Sequence, residues 1–347
     1  MNYELTRFSE GAGCGCKIAP KELEIILRDQ SMRFDGLLVG NENHDDAAVY
    51  DIGNGDAIVS TTDFFTPIVD NARDFGRIAA ANAISDIYAM GGVPLMAISI
   101  LGWPLDKLPA ELAREVVSGA REVCASVKIP LAGGHSVNIS TPLFGLAVTG
   151  RMRSEQVKKN CTARVGCKVF LTKPLGVGLI ATAGKLNRAN PDDIAEAVRL
   201  MTTLNVAGSD FAQLSGVRAM TDVTGFGLLG HALEMAEGSG VQMVLEYSKI
   251  PRMANVDYYI AQGCIPGGTE RNWNSYGHKI IIDVAGEDKE KIKTLMCDPQ
   301  TSGGLLVAVE PDAVNDLHQA AQKTGTPLFE IGYMDENQMD RVWVSVI

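Results

Sequence analysis

Basic residues are the minority charge in this sequence: 31 lysines and arginines stand against 42 aspartates and glutamates, a formal charge of −11. No long basic run interrupts the acidic excess, which argues against a generic binder of nucleic acid or of an anionic membrane surface. No apolar run approaches the ~18 residues of a spanning helix. Met1 to Glu10 is polar, with no apolar stretch behind a basic start. The seven cysteines (Cys14, Cys16, Cys124, Cys161, Cys167, Cys264 and Cys297) are odd in number and irregular in spacing, unlike a secreted disulfide framework. No low-complexity segment is present. These absences predict a soluble, reduced, cytoplasmic protein. A protein this acidic needs local cations to bind an anion.

What is there is ordinary globular composition, with 347 residues, 46% hydrophobic and 21% charged. At ~100–200 residues per domain, two domains are the default, with a core large enough to need no disulfide. Periodicity predicts a helix over residues 21–28 and strands over 47–51 and 57–62, joined at an Asn54-Gly55 turn. A helix over 74–90 with Asp74 as N-cap follows, then a strand over 97–101, a helix over 109–127 and strands over 129–132 and 143–149. A boundary falls near 152–165. Beyond it, strands are predicted over 169–172, 243–247, 279–284, 305–309 and 328–334, with helices over 192–204, 227–236 and 313–323. Mixed strands and helices in two halves give an α/β (α+β) protein. Thr62-Asp63 and Thr221-Asp222 each follow a short apolar segment and precede a helix, a weak internal echo.

The helix over 74–90 carries the first chemical signal. Between Ile78 and Met90 the polar exceptions are Asn82, Ser85 and Asp86, whose spacing places them on one face. Such an apolar helix is buried, and a buried carboxylate is costly unless paired or holding a metal. No cation lies on the neighbouring turns; a cap or salt bridge is the other reading of Asp86. Asp45-Asp46 precede one predicted strand, Asp63 ends the next, and Asp222 sits in Met220-Thr221-Asp222-Val223-Thr224-Gly225-Phe226-Gly227. Each alone suits a turn or cap. Together they are candidate hard oxygen ligands for Mg²⁺ shared with phosphates. Gly133-Gly134-His135-Ser136 follows the predicted strand 129–132, where glycines let a backbone approach a phosphate; a tight turn with a solvated histidine is the alternative. Gly11-Ala12-Gly13-Cys14-Gly15-Cys16-Lys17 lacks the preceding strand and the Ser/Thr of a P-loop, and the second cysteine pair of a zinc site. It leaves either a thiol on a glycine-rich lid beside Lys17, a cation that favours thiolate, or a tail with incidental cysteines.

These motifs, joined by Ser60-Thr61-Thr62-Asp63-Phe64 and by Asp298-Pro299-Gln300-Thr301-Ser302-Gly303-Gly304, occur in an order that resembles the selenophosphate synthetase (selenide, water dikinase) family over essentially the whole chain. The resemblance implies a two-domain aminoimidazole-ribonucleotide-synthetase-like fold. It implies a homodimer whose N-terminal domains form a joint β-barrel with ATP in the cleft between them. The implied division is a mobile segment 1–46 with the catalytic Cys and Lys, an ATP- and metal-binding domain 47–157, and a C-terminal domain 158–347. The implied reaction converts ATP, selenide and water to selenophosphate, AMP and orthophosphate. Cys14 is then the nucleophile or selenium carrier, and Lys17 contacts phosphate. Asn43, His44 (through its backbone), Asp45, Asp63 and Asp86 contact the nucleotide, as do Gly134, His135 and Ser136 from the partner subunit. Asp46, Asp86 and Asp222 hold Mg²⁺. A selenium-delivery protein is a candidate partner; nucleic acid and membrane are not. The competing readings are another ATP-dependent kinase or ligase of the superfamily, and a non-enzymatic selenium or metal carrier using Cys14 and Cys16.

Overall fold

A computed structural model describes residues 3–8, 13, 17–18, 20–27, 34–41, 44–338 and 341–347. Cys14, Cys16 and Asn43, and with them the expected lid, lie outside the described residues.

After α1 (Pro20–Leu27), a first, mixed sheet is built from β1 (Leu37–Val39), β2 (Ala48–Gly53), β3 (Asp56–Phe65), β4 (Val93–Trp103), β5 (Leu131–Asn138) and β6 (Leu143–Arg153). The strand order is β1-β2-β3-β6-β4-β5, antiparallel except for the β4–β5 pair. The β2–β3 hairpin turns at Asn54 and Gly55, both at positive φ (57° and 76°), as a two-residue turn that matches strand twist requires. α2 (Ala72–Ala89) lies against β3 and β6, and α3 (Ala110–Ser126) lies against α2. Asp74 is not the N-cap of α2. Asn71 is, its side chain accepting from the Asp74 N–H at 2.9 Å, because the helix begins two residues earlier than apolar periodicity suggests.

The second sheet comprises β7 (Lys168–Leu171), β8 (Val217–Asp222), β9 (Gln242–Leu245), β10 (Ile280–Ile282), β11 (Leu305–Val309), β12 (Phe329–Asp335) and β13 (Val344–Val346), in the order β10-β13-β9-β12-β7-β11-β8. Its helices are α4 (Val177–Lys185), α5 (Pro191–Thr202), α6 (Ala207–Phe211), α7 (Gly227–Ser239), α8 (Val256–Ala261), α9 (Gly267–Tyr276), α10 (Lys289–Met296) and α11 (Val314–Thr324). α2 also packs on α5, α6 and β8, so one helix serves both sheets.

Two features bear on function, the first of them a departure from the sequence expectation. Gly133-Gly134-His135-Ser136 is no turn; it lies within β5. Gly134 sits at φ +152°, and a Cβ there would stand 2.2 Å from the Ser99 carbonyl oxygen, so the pairing with β4 requires glycine. The face of the first sheet away from α2 is open and apolar: Tyr50, Phe64, Val93, Met96 and Ile98 are each at least 45% exposed. Among the described residues, no helix is long and apolar enough to cross a membrane.

Candidate active site

α2 is the spine of the site, and Asn82, Ser85 and Asp86 on it each meet a different strand or loop. Asp86 is buried, and its Oδ2 accepts from the Thr61 hydroxyl of β3 at 2.5 Å. Asn82 donates to Asp63 Oδ2 at 2.7 Å and accepts from the Ser302 N–H at 2.8 Å. The Ser85 hydroxyl donates to Asp222 Oδ2, at the end of β8, at 2.6 Å, and accepts from Asn205 at 2.8 Å. Thr221 completes the set by donating to Asp46 Oδ1 at 2.8 Å. Neutral donors thus hold these carboxylates in place without cancelling their charge. The cation at hand is Lys17, whose Nζ lies 3.4 Å from Asp63 Oδ2.

These groups surround a cavity of about 650 Å³, lined by Lys17, Asp45, Asp46, Asp63, Asp86 and Asp222 together with His44, Thr224, His231 and Glu234. Among the described lining residues, Lys17 alone is a lysine or arginine. The excess of negative charge is visible in the acids themselves. Burial, then the Asp222 and Asp86 charges, push Asp46 well above the usual carboxylate range. Burial, then Asp222 and Asp63, do the same to Asp86. Burial also raises Asp222 against the Ser85 hydrogen bond, and raises Asp45 against the Asn160 N–H bonded to it at 2.8 Å.

Crowded acids of this kind fit a divalent cation. Asp46 Oδ2 is buried with no hydrogen-bond partner among the described residues, an unsatisfied acceptor in a carboxylate that feels the Asp222 and Asp86 charges. Among the described residues no three acidic, histidine or cysteine side chains close into a ready-made metal cage. An ion that takes its remaining oxygens from phosphates and water needs no such cage.

The structure brings Lys17, His44, Asp45, Asp46, Asp63, Asp86 and Asp222 to one cavity. Gly134, His135 and Ser136 do not line it; they sit exposed on β5, the edge strand of the first sheet. Sequence reading assigned no role to Thr61 and Thr221, which stand two positions before Asp63 and next to Asp222. It also passed over Lys173, His231 and Glu234. Lys173 is buried, pulled down to about 7 by burial, and donates to the Thr203 and Ser302 carbonyls at 2.6 and 2.8 Å, fixing the loop that Asn82 grips.

Residues 44–152 match the family model described as AIR synthase related protein, N-terminal domain, and residues 164–345 match AIR synthase related protein, C-terminal domain. Fold and cavity together therefore define an AIR synthase related protein. Solved structures share the architecture. A thiamine-monophosphate kinase from Stenotrophomonas maltophilia superposes with a TM-score of 0.64 at 18% identity over 94% of this chain and 93% of that one. AaThiL complexed with AMPPCP and TMP gives 0.65 at 19% over 95% and 96%. Sequence similarity narrows the class. The chain is 56% identical over 345 residues to a selenide, water dikinase of Yersinia pseudotuberculosis, covering 99% of this chain and 98% of that protein. It is 55% identical over 347 residues to that of Escherichia coli K12, covering 99% of each. The chain belongs to the selenide, water dikinase family.

Proposed function

We propose that this protein transfers phosphoryl groups from ATP to selenide and to water, releasing selenophosphate, AMP and orthophosphate. Membership of the dikinase family supports the two acceptors. The observation that carries the reading at the level of chemistry is the cavity in which Asp46, Asp63, Asp86 and Asp222 converge with Lys17. A triphosphate cannot enter such a site alone, because like charges at short range repel. Asp46, Asp86 and Asp222 would hold Mg²⁺, which would supply the charge neutralisation that the phosphates need.

The chain's own groups do the rest. Lys17 leaves Asp63 to cover phosphate charge as it develops. Asn43, the His44 backbone, Asp45, Asp63 and Asp86 hold the nucleotide. Cys14 handles selenium. Two observations support this role: the Gly13 N–H donates to the Thr66 carbonyl at 3.1 Å, and Gly13 and Lys17, which flank Cys14 in the sequence, both line the cavity. The open apolar face of the first sheet is the surface on which a second copy packs to form a barrel, and edge strand β5 then offers Gly134, His135 and Ser136 to the partner's nucleotide. The chain divides functionally into the segment 1–46, the nucleotide domain 47–157 and the domain 158–347. It works in the cytoplasm, with a selenium-delivery protein as a further partner.

The test is an anaerobic assay with ATP, Mg²⁺ and selenide. AMP and selenophosphate formed in equal amounts, and only with selenide, are expected; ADP formed with another acceptor and none with selenide would refute the reading. In the same assay Lys17→Gln and Cys14→Ser should each lose activity, whereas Cys16→Ser should retain a substantial part of it. An active Cys14→Ser beside an inactive Cys16→Ser would exchange the two roles.

A further inference from the structure

Transfer to water needs a group that takes the water's proton, and the carboxylates described above have other roles in the preceding reading: Asp46, Asp86 and Asp222 would hold Mg²⁺, and Asp63 faces Lys17 at 3.4 Å. Asp46, Asp63, Asp86 and Asp222 each already accept a hydrogen bond from a neutral side chain. α7 brings a different acid to the cavity. His231, in its second turn, is buried, and the Thr224 backbone N–H donates to its Nε2 at 3.1 Å. A ring nitrogen that accepts from an amide carries no proton, so the neutral imidazole holds its hydrogen on Nδ1. That atom lies 3.2 Å from Glu234 Oε2, one turn further along the helix. The contact is close but not well angled: Nδ1 is buried without a satisfactory hydrogen-bond acceptor among the described residues. A small rotation of the Glu234 side chain closes it. Glu234 is itself partly exposed to the cavity, which it lines together with Asp222 and Thr224. Its charge is felt by Asp45, in the loop ahead of β2. A buried N–H thus lies beside a carboxylate that lines the cavity.

We propose that Glu234 is the general base of the second phosphoryl transfer and that His231 is its positioning residue. This inference rests on the two-acceptor reaction of the preceding subsection. After the first transfer, ADP remains. The water oxygen bonds to its β-phosphorus, and the bond from that phosphorus to the oxygen bridging the α and β positions breaks. The electron pair leaves with AMP. The water proton passes to the Glu234 carboxylate and then to solvent through the cavity mouth. No oxidant or further reactant is involved.

The two acceptors make the test internal. With the full-length chain, ATP, Mg²⁺ and selenide under anaerobic conditions, selenophosphate, ADP and AMP are measured together. A positioned base contributes about 10²–10⁴-fold, so Glu234→Gln should lower the AMP formed per selenophosphate by about 10²-fold and accumulate ADP. Glu234→Asp should recover part of the ratio, and His231→Gln should shift it in the same direction by less. A parental ratio in Glu234→Gln would overturn the assignment. So would equal loss of both products, which marks a structural role, or a parental ratio restored by excess Mg²⁺, which marks a metal-holding one. Failure of the parent chain to consume ATP in response to selenide would instead refute the underlying activity.

Discussion

Asp298 shows how much a single buried acid shapes behaviour. It is fully buried in the loop between α10 and β11, where Oδ2 accepts from the Gly178 N–H at 3.1 Å and from Gln300 at 2.8 Å, while Oδ1 has no partner among the described residues. Burial pushes it up to about 8 from an ordinary 3.8. Between those values the folded chain keeps a proton that the unfolded chain has released. This contribution to stability is therefore complete below the unfolded value and is lost as pH climbs through about 8. Asp298→Asn should flatten that decline, read as the thermal midpoint from about pH 5 to about pH 9; parallel profiles for variant and parent would contradict it. Asp86→Asn, which removes charge but little volume, should cut turnover by about 10²-fold or more while leaving the thermal midpoint equal or higher, since it relieves a crowded buried acid. Much of this was legible in the sequence. The spacing of Asn82, Ser85 and Asp86 placed them on one face, and all three do face the site. The donors to those acids were not, because Thr61 reaches Asp86 across 25 positions and Thr221 reaches Asp46 across 175. Only the folded chain makes them neighbours.

Among the elements, α2 transmits position from packing to chemistry. α3 approaches it so closely that a Cβ on Gly119 would stand 2.0 Å from the Arg73 carbonyl oxygen. Gly119→Ala should force the helices apart at a cost of about 1–3 kcal/mol, measured by urea unfolding. It should also lower activity, because the displaced helix carries Asn82, Ser85 and Asp86. Unchanged stability would mean that the pair yields more easily than its packing indicates. Periodicity located α2 and α3 because their apolar stripes are long, and it located β2 and β3 through the Asn54-Gly55 turn. It missed β8, which is buried on both faces and so carries no alternation to detect. It misread the glycines of β5, where the reason for glycine is a neighbouring strand and not a turn.

For the molecule as a whole, the open face of the first sheet predicts self-association. Ile98→Glu places a charge in the middle of that face and should shift the protein toward monomer in sedimentation experiments, with loss of activity if β5 serves the partner's nucleotide; an unchanged oligomer would remove this face from the interface. The Ser85–Asp222 and Asn82–Ser302 hydrogen bonds, at 2.6 and 2.8 Å, tie α2 to the second sheet and its loops. Neither sheet owns the acids that ring the cavity. A nucleotide bound among them is therefore thermodynamically coupled to the cohesion of both sheets, and ligand at a hundredfold excess over Kd adds about 2.7 kcal/mol to the unfolding free energy. Calorimetry should show one endotherm that moves upward as a unit when ATP and Mg²⁺ are added, because neither sheet can melt without releasing what the other holds.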